Sequence, residues 1–89
     1  KIFSCEDHPN ADKLYLVKVN LGSEVRQVVA GLKKFYSPEA LMNKKVVIVA
    51  NLEPAKLRGE ISEGMLLAAE KNGKVKLLTV DIENGAEIH

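Results

Sequence analysis

The chain has 89 residues, with 13 Lys+Arg against 12 Asp+Glu for a net charge of +1, and it is 46% hydrophobic but only 4% aromatic. That length holds one small domain burying roughly 60–65% of the surface of its unfolded chain, and it excludes a multi-layer enzyme with a deep cleft. The balanced charge excludes a globally basic nucleic-acid coat, and the hydrophobic content argues against disorder. A single cysteine, Cys5, excludes an internal disulfide framework and fits a reducing cytoplasm. No apolar run reaches the ~20 residues needed to span a bilayer. The sequence opens at Lys1 without the basic-then-apolar pattern of a signal peptide, so an excised domain over residues 1–89 is expected.

In chain order, residues 1–6 read as a first strand. It is stopped by the turn-forming run Asp7-His8-Pro9-Asn10-Ala11-Asp12, because Pro9 lacks a ladder donor and biases His8 away from helical geometry. Tyr15, Val17, Val19 and Leu21 alternate with Leu14, Leu16, Lys18 and Asn20, which predicts a strand with one apolar face. Leu21-Gly22-Ser23-Glu24 reads as a tight connection into a third strand, Val25 to Ala30, closed by Gly31.

Ser37-Pro38-Glu39 marks a helix start. Serine can cap, proline suits the first helical position, and glutamate faces the positive end of the dipole. The helix is short, ending near Asn43, because Val46-Val47-Ile48-Val49 follows as a buried strand. Met65 to Ala69 is expected as one strand, and Asn72-Gly73 turns it into a return strand over Val75 to Val80. The order is β-β-β-α-β-β with an added strand near the end. An all-β fold with one small helix follows, matching a five-stranded Greek-key OB-fold barrel with an extra C-terminal strand. An SH3-like barrel is the competing reading, but it has no need of the Ser37 helix.

Charge is unevenly spread. Residues 1–36 carry +2, residues 37–58 carry +2, and residues 59–89 carry −3. The basic front and acidic tail are hidden in the near-neutral total.

Catalysis finds little support in the residues. Cys5 and His8 fall on opposite faces of a continuing strand, and one cysteine with isolated histidines cannot build a tetrahedral metal site. Gly31, Gly59 and Gly64 are too far apart for a phosphate-cradling loop. A non-catalytic domain without metal or cofactor is expected. Single-strand binding usually relies on aromatic platforms, and the only aromatics are Phe3, Tyr15, Phe35 and Tyr36, with Tyr15 in phase with the core. A folded RNA would instead be read through its backbone by a local cluster of cations. Lys33 and Lys34 after Gly31, with Lys56 and Arg58 between Pro54 and Gly59, can supply one from two loops, or can be ordinary solvated charges.

Four motifs favour the cluster. His8-Pro9-Asn10-Ala11-Asp12-Lys13-Leu14 resembles the H-P-[ND]-A-[DE]-x-L segment of the tRNA-binding domain family. Val29-Ala30-Gly31-Leu32 resembles its V-[SA]-G-[LI]. Asn51-Leu52-Glu53-Pro54-Ala55-Lys56-Leu57-Arg58-Gly59 resembles its N-L-x-P-x-K-[LM]-R-G, and Ser62-Glu63-Gly64-Met65 its S-[QE]-G-M. The stretch from Leu32 to Glu39 looks like that of the C-terminal appendages of methionyl-tRNA synthetases, the branch this sequence most resembles.

The resemblance implies an OB-fold module that captures tRNA by shape, attached to a synthetase and in many relatives holding it as a homodimer. It also implies phosphate contacts by Lys33, Lys56 and Arg58, with Asn51, Ser62 and Met65 in the site and Asn10, Lys13 and Lys34 as secondary candidates. Turn geometry explains Asn10 and Asn51 as well, and capping the turn before Gly64 explains Ser62 equally well. Periodicity alone would place Met65 in the core. A dimerisation or chaperone-like protein-interaction domain is the alternative function. Two departures stand out. The family's first strand begins before the Lys1-Ile2 at which this chain starts, so part of that strand is expected to be missing. Glu63 stands where many members have Gln, and a carboxylate beside a phosphate site weakens it unless Arg58 or Lys56 pairs with it.

Overall fold

The computed structural model describes all 89 residues, Lys1–His89. It is nearly all β: nine short strands and one four-residue helix. Strands β1 (Ile2–Asp7), β2 (Tyr15–Asn20) and β3 (Val25–Ala30) form an antiparallel sheet in that order. β2 is the most regular of them because its alternation is the cleanest. Tyr15, Val17 and Val19 are buried, while Lys18 points to solvent. Val28 and Ala30 of β3 lie opposite Val17 and Tyr15 and complete the same inner face. β1 is paired from Ile2 to Asp7, with an irregularity between Ile2 and Ser4, and the Lys1 carbonyl accepts from the Asn20 amide.

Helix α1 (Pro38–Leu41) begins as its sequence requires: Ser37 is extended and its hydroxyl accepts from the Ala40 amide. It ends within one turn, and Asn43 then takes a left-handed conformation, φ 66°. This reversal lets Asn43 and Lys44 bond the backbone of Ile2 and delivers Leu41 into the core. Ile2, Val17, Val19, Val28 and Leu41 are at most 1% exposed. Each such side chain contributes about 1.5–3 kcal/mol by leaving water. Tyr15 is buried with its hydroxyl satisfied, donating to the Tyr36 carbonyl at 2.8 Å; the Tyr36 hydroxyl accepts in turn from Leu77.

The second half of the chain is more finely divided than its sequence indicates. β4 is only Ile48–Val49, and of the expected buried strand Val47 alone is fully buried. Two strands, β5 (Ala55–Leu57) and β6 (Glu60–Ser62), form a hairpin where a loop was expected. The single strand expected over Met65–Ala69 is two, β7 (Met65–Leu66) and β8 (Ala68–Lys71). The break has a cause in the ladder. β7 pairs with β4, whereas β8 pairs with β9 (Lys74–Leu77), so Leu67 is where the chain changes partner. There Val47 donates to Leu78, Leu78 to Leu67, and Leu67 to Val47, a closed ring of three backbone hydrogen bonds joining three segments. The Asn72-Gly73 turn is as expected, both residues having positive φ (54° and 78°), and β9 is the added strand near the end of the chain.

Candidate nucleic-acid interface

Three segments meet at one end of the three-stranded sheet. The first is the turn over residues 8–14, between β1 and β2. The second is the segment after β3, where a side chain on Gly31 would touch Leu14 at 3.7 Å. The third is the β5–β6 hairpin, whose tip is Arg58-Gly59, both with positive φ (54° and 92°), the geometry of a two-residue hairpin turn.

The hairpin is brought there by the first motif. His8 is buried, and the Asn10 amide donates to its Nδ1 at 2.9 Å, which makes Nδ1 an acceptor. Nε2 then carries the proton and donates to the Leu57 carbonyl at 3.0 Å. The Asn10 side-chain amide reaches the Arg58 carbonyl at 3.3 Å. Asn10 thus faces the turn rather than open solvent alone.

Among the cations, Lys13, Lys34, Lys56 and Arg58 are exposed and form no ion pair. Lys33 is different: its ammonium lies 3.0 Å from the Asp7 carboxylate and 5.9 Å above the Tyr15 ring. Lys56 lies directly opposite Ile61 in the hairpin, so the two share the face away from buried Ser62. Met65 is 50% exposed and borders a small apolar cleft of about 150 Å³ with Gly31, Leu32 and Ala68, so it stands at the surface and not in the core.

Two expected site residues are placed elsewhere. Ser62 is buried. Its hydroxyl accepts from Val29 and donates to Gly64, both at 3.0 Å, so its proton is already committed to the fold. The turn-tying role is the one the geometry displays. Asn51 is exposed but lines a separate groove of about 770 Å³, bordered by Asn20, Ser23, Glu24, Glu83 and Glu87 beside the β2–β3 turn. Glu63 pairs with neither Arg58 nor Lys56. Its carboxylate accepts from the Gln27 amide at 3.2 Å, while its own amide donates to the Gln27 carbonyl. An amide oxygen at this position could accept the first bond equally.

Cys5 is half-buried, and burial, followed by Asp7, Glu39 and Glu6, pushes its thiol up to about 11 from the ordinary 9.0. A thiol held protonated in this way is a poor nucleophile.

The family described as "Putative tRNA binding domain" matches residues 1–87. The chain belongs to that family. It is a binding domain, not a catalytic one. The domain is 66% identical over 83 residues to the methionine–tRNA ligase of Pyrococcus furiosus, covering 93% of this chain and 12% of that protein. It is 52% identical over 90 residues to methionine–tRNA ligase 1 of Bacillus anthracis, covering 99% and 14%. The chain therefore spans about an eighth of the length of these relatives. Among solved structures, the domain is similar to a MetRS-related protein from Pyrococcus horikoshii, with a TM-score of 0.91 and 36% identity over 99% of this chain and 84% of that one. It is equally similar in shape to the CsaA chaperone protein from Picrophilus torridus, with a TM-score of 0.91 and 33% identity over 99% and 85%.

Proposed function

We propose that this domain captures tRNA through backbone and shape contacts at the end formed by the 8–14 turn, residues 31–34 and the β5–β6 hairpin. It does so as an appended module of a cytoplasmic methionine–tRNA ligase. Lys13, Lys33, Lys34, Lys56 and Arg58 neutralise phosphates, and Met65 and Ile61 offer apolar contact beside them. Asn51, in the separate groove beside the β2–β3 turn, would be reached only by a tRNA that extends along the sheet. The observation that supports this reading most is the convergence of three motif segments on one basic end, joined through His8 and Asn10. Tethering then turns a weak contact into effective capture by raising the local tRNA concentration at the synthetase.

Anisotropy measurements with folded tRNA and with poly-U, across a salt series, test this. Affinity for tRNA should exceed that for poly-U and fall with a log–log slope of about −0.7 to −0.9 per phosphate contacted. Equal affinity for poly-U, or no binding at low salt, sinks the reading.

The protein-interaction alternative draws on the likeness to a chaperone protein and on the exposure of Leu52, Leu57, Ile61 and Met65 around the hairpin. Its homodimer version is checked by sedimentation, where a strict monomer at micromolar concentration removes it.

A further inference from the structure

The β5–β6 hairpin poses a physical problem. Residues 55–59 are all exposed, so the hairpin gains little from apolar burial, and a two-stranded hairpin alone is marginally stable in water. Its tip places an arginine at φ 54°, a left-handed conformation that side chains other than Gly and Asn seldom adopt. Something outside the hairpin must hold it. At the strand end the tie is β3, through the Gln27 side chain to the Ile61 carbonyl at 2.9 Å and through Ser62 to Val29. At the tip no strand is available.

We propose that His8 and Asn10 are positioning residues of the tRNA site, gripping the two carbonyls at the hairpin tip so that Arg58 is held in its left-handed turn. The inference rests on tRNA capture at this end of the molecule. Leu57 and Arg58 are consecutive, and their carbonyls accept from the His8 ring and the Asn10 amide respectively. The Asn10 amide also lies across Gly59, 3.5 Å from where a Cβ would stand, an ordinary contact distance, so the glycine there answers to its φ of 92° and the amide packs on the turn itself. His8 and Asn10 are themselves coupled, since the Asn10 backbone amide fixes the tautomer that lets His8 donate. The histidine is only 5% exposed although its partner hairpin is at the surface. A phosphate at the Arg58 guanidinium then meets a side chain whose backbone is already set, which lowers the ordering cost of binding.

A double-mutant cycle on the 89-residue chain tests the assignment, with tRNA affinity measured at fixed salt. His8→Phe removes both ring hydrogen bonds while keeping a buried ring, and Asn10→Ala removes the side-chain amide from an exposed position. Each should weaken tRNA binding roughly 3–10-fold, the scale of a lost hydrogen bond. In an Arg58→Ala background neither should cause further loss, because both act through Arg58. His8→Gln, which retains a donor for Leu57, should recover much of the affinity. Unchanged affinity in both single variants overturns the proposal, as does an equal loss in the Arg58→Ala background. If His8→Phe fails to fold, Asn10→Ala decides alone. Failure of the unaltered domain to bind tRNA removes both this inference and the reading beneath it, whereas binding that ignores His8 and Asn10 removes only this one.

Discussion

The Ser62 hydroxyl oxygen lies 3.0 Å from the Val29 amide nitrogen and at the same distance from the Gly64 carbonyl, so one side chain ties β3 to the turn between β6 and β7. Removing it leaves a half-buried amide and a carbonyl without their partner. Ser62→Ala should destabilise the domain by about 1–3 kcal/mol. In calorimetry that appears as a melting temperature lower by several degrees for each kcal/mol, as expected for a chain this size. Affinity of the folded protein for tRNA should stay within twofold. Weakened binding at an unchanged melting temperature would mean that Ser62 touches the ligand after all.

Arg58 separates stability from binding in the opposite direction. Arg58→Gly relieves the left-handed backbone, and stability should be unchanged or higher by up to about 1 kcal/mol. Loss of the guanidinium should weaken tRNA binding roughly tenfold, and alike for different tRNAs. Lys74→Ala, at the turn end of the β8–β9 hairpin and outside the three converging segments, serves as the control and should change affinity less than twofold. Parallel loss of stability and binding in Arg58→Gly contradicts this account.

Asp7 offers a gain rather than a loss. Its carboxylate holds the Lys33 ammonium at 3.0 Å, in competition with any phosphate. The pair is partly exposed and worth at most about 1 kcal/mol, so Asp7→Asn should tighten tRNA binding by up to roughly 5-fold. The tightening should disappear in Asp7→Asn combined with Lys33→Ala. An affinity that is unaltered or reduced in the single variant argues that Lys33 does not reach the nucleic acid.

For Cys5 the folded thiol keeps its proton to about 11, against an ordinary 9.0. Between those values the native state binds more protons than the unfolded one, so this group makes stability fall as pH rises through that window. Urea midpoints should therefore drop more steeply with alkaline pH in the unaltered domain than in Cys5→Ala. At pH 8 the thiolate fraction should be on the order of 100-fold below that of a free cysteine peptide, giving slow alkylation in the native state. Rapid alkylation without unfolding would count against a half-buried, protonated thiol.

The first half of the fold was legible because its cues are local. Alternation over Tyr15–Val19 names the buried face of β2, and Ser37-Pro38-Glu39 marks a capped helix start, both as found. The second half depends on which strand each segment finds as a partner. Met65–Ala69 is one apolar run in sequence, but Leu67 belongs to a junction of three segments that no local pattern announces. The β5–β6 hairpin was missed because its strands are three residues long and lack alternation toward a core, although Arg58-Gly59 is a usable turn signal. At the proposed interface, the cations are nominated by motif and loop placement. The scaffolding around them is not. His8 appears in the sequence as a lone imidazole before a proline, and its partner carbonyl lies 49 residues away. The commitments of Ser62 and Glu63 to the backbone of β3 are equally long-range.

The separation between the two ends of β2 has a kinetic meaning. Lys13, Lys33, Lys34 and Arg58 gather where β2 begins, while the groove near its far end is bordered by Glu24, Glu83 and Glu87 together with Lys1 and Lys45, so that end is close to balanced. With a net charge of +1, the molecule feels little overall pull toward a polyanion. It feels a torque instead. A polyanion approaching the domain would turn it so that its cationic end leads, which filters unproductive encounters before contact is made.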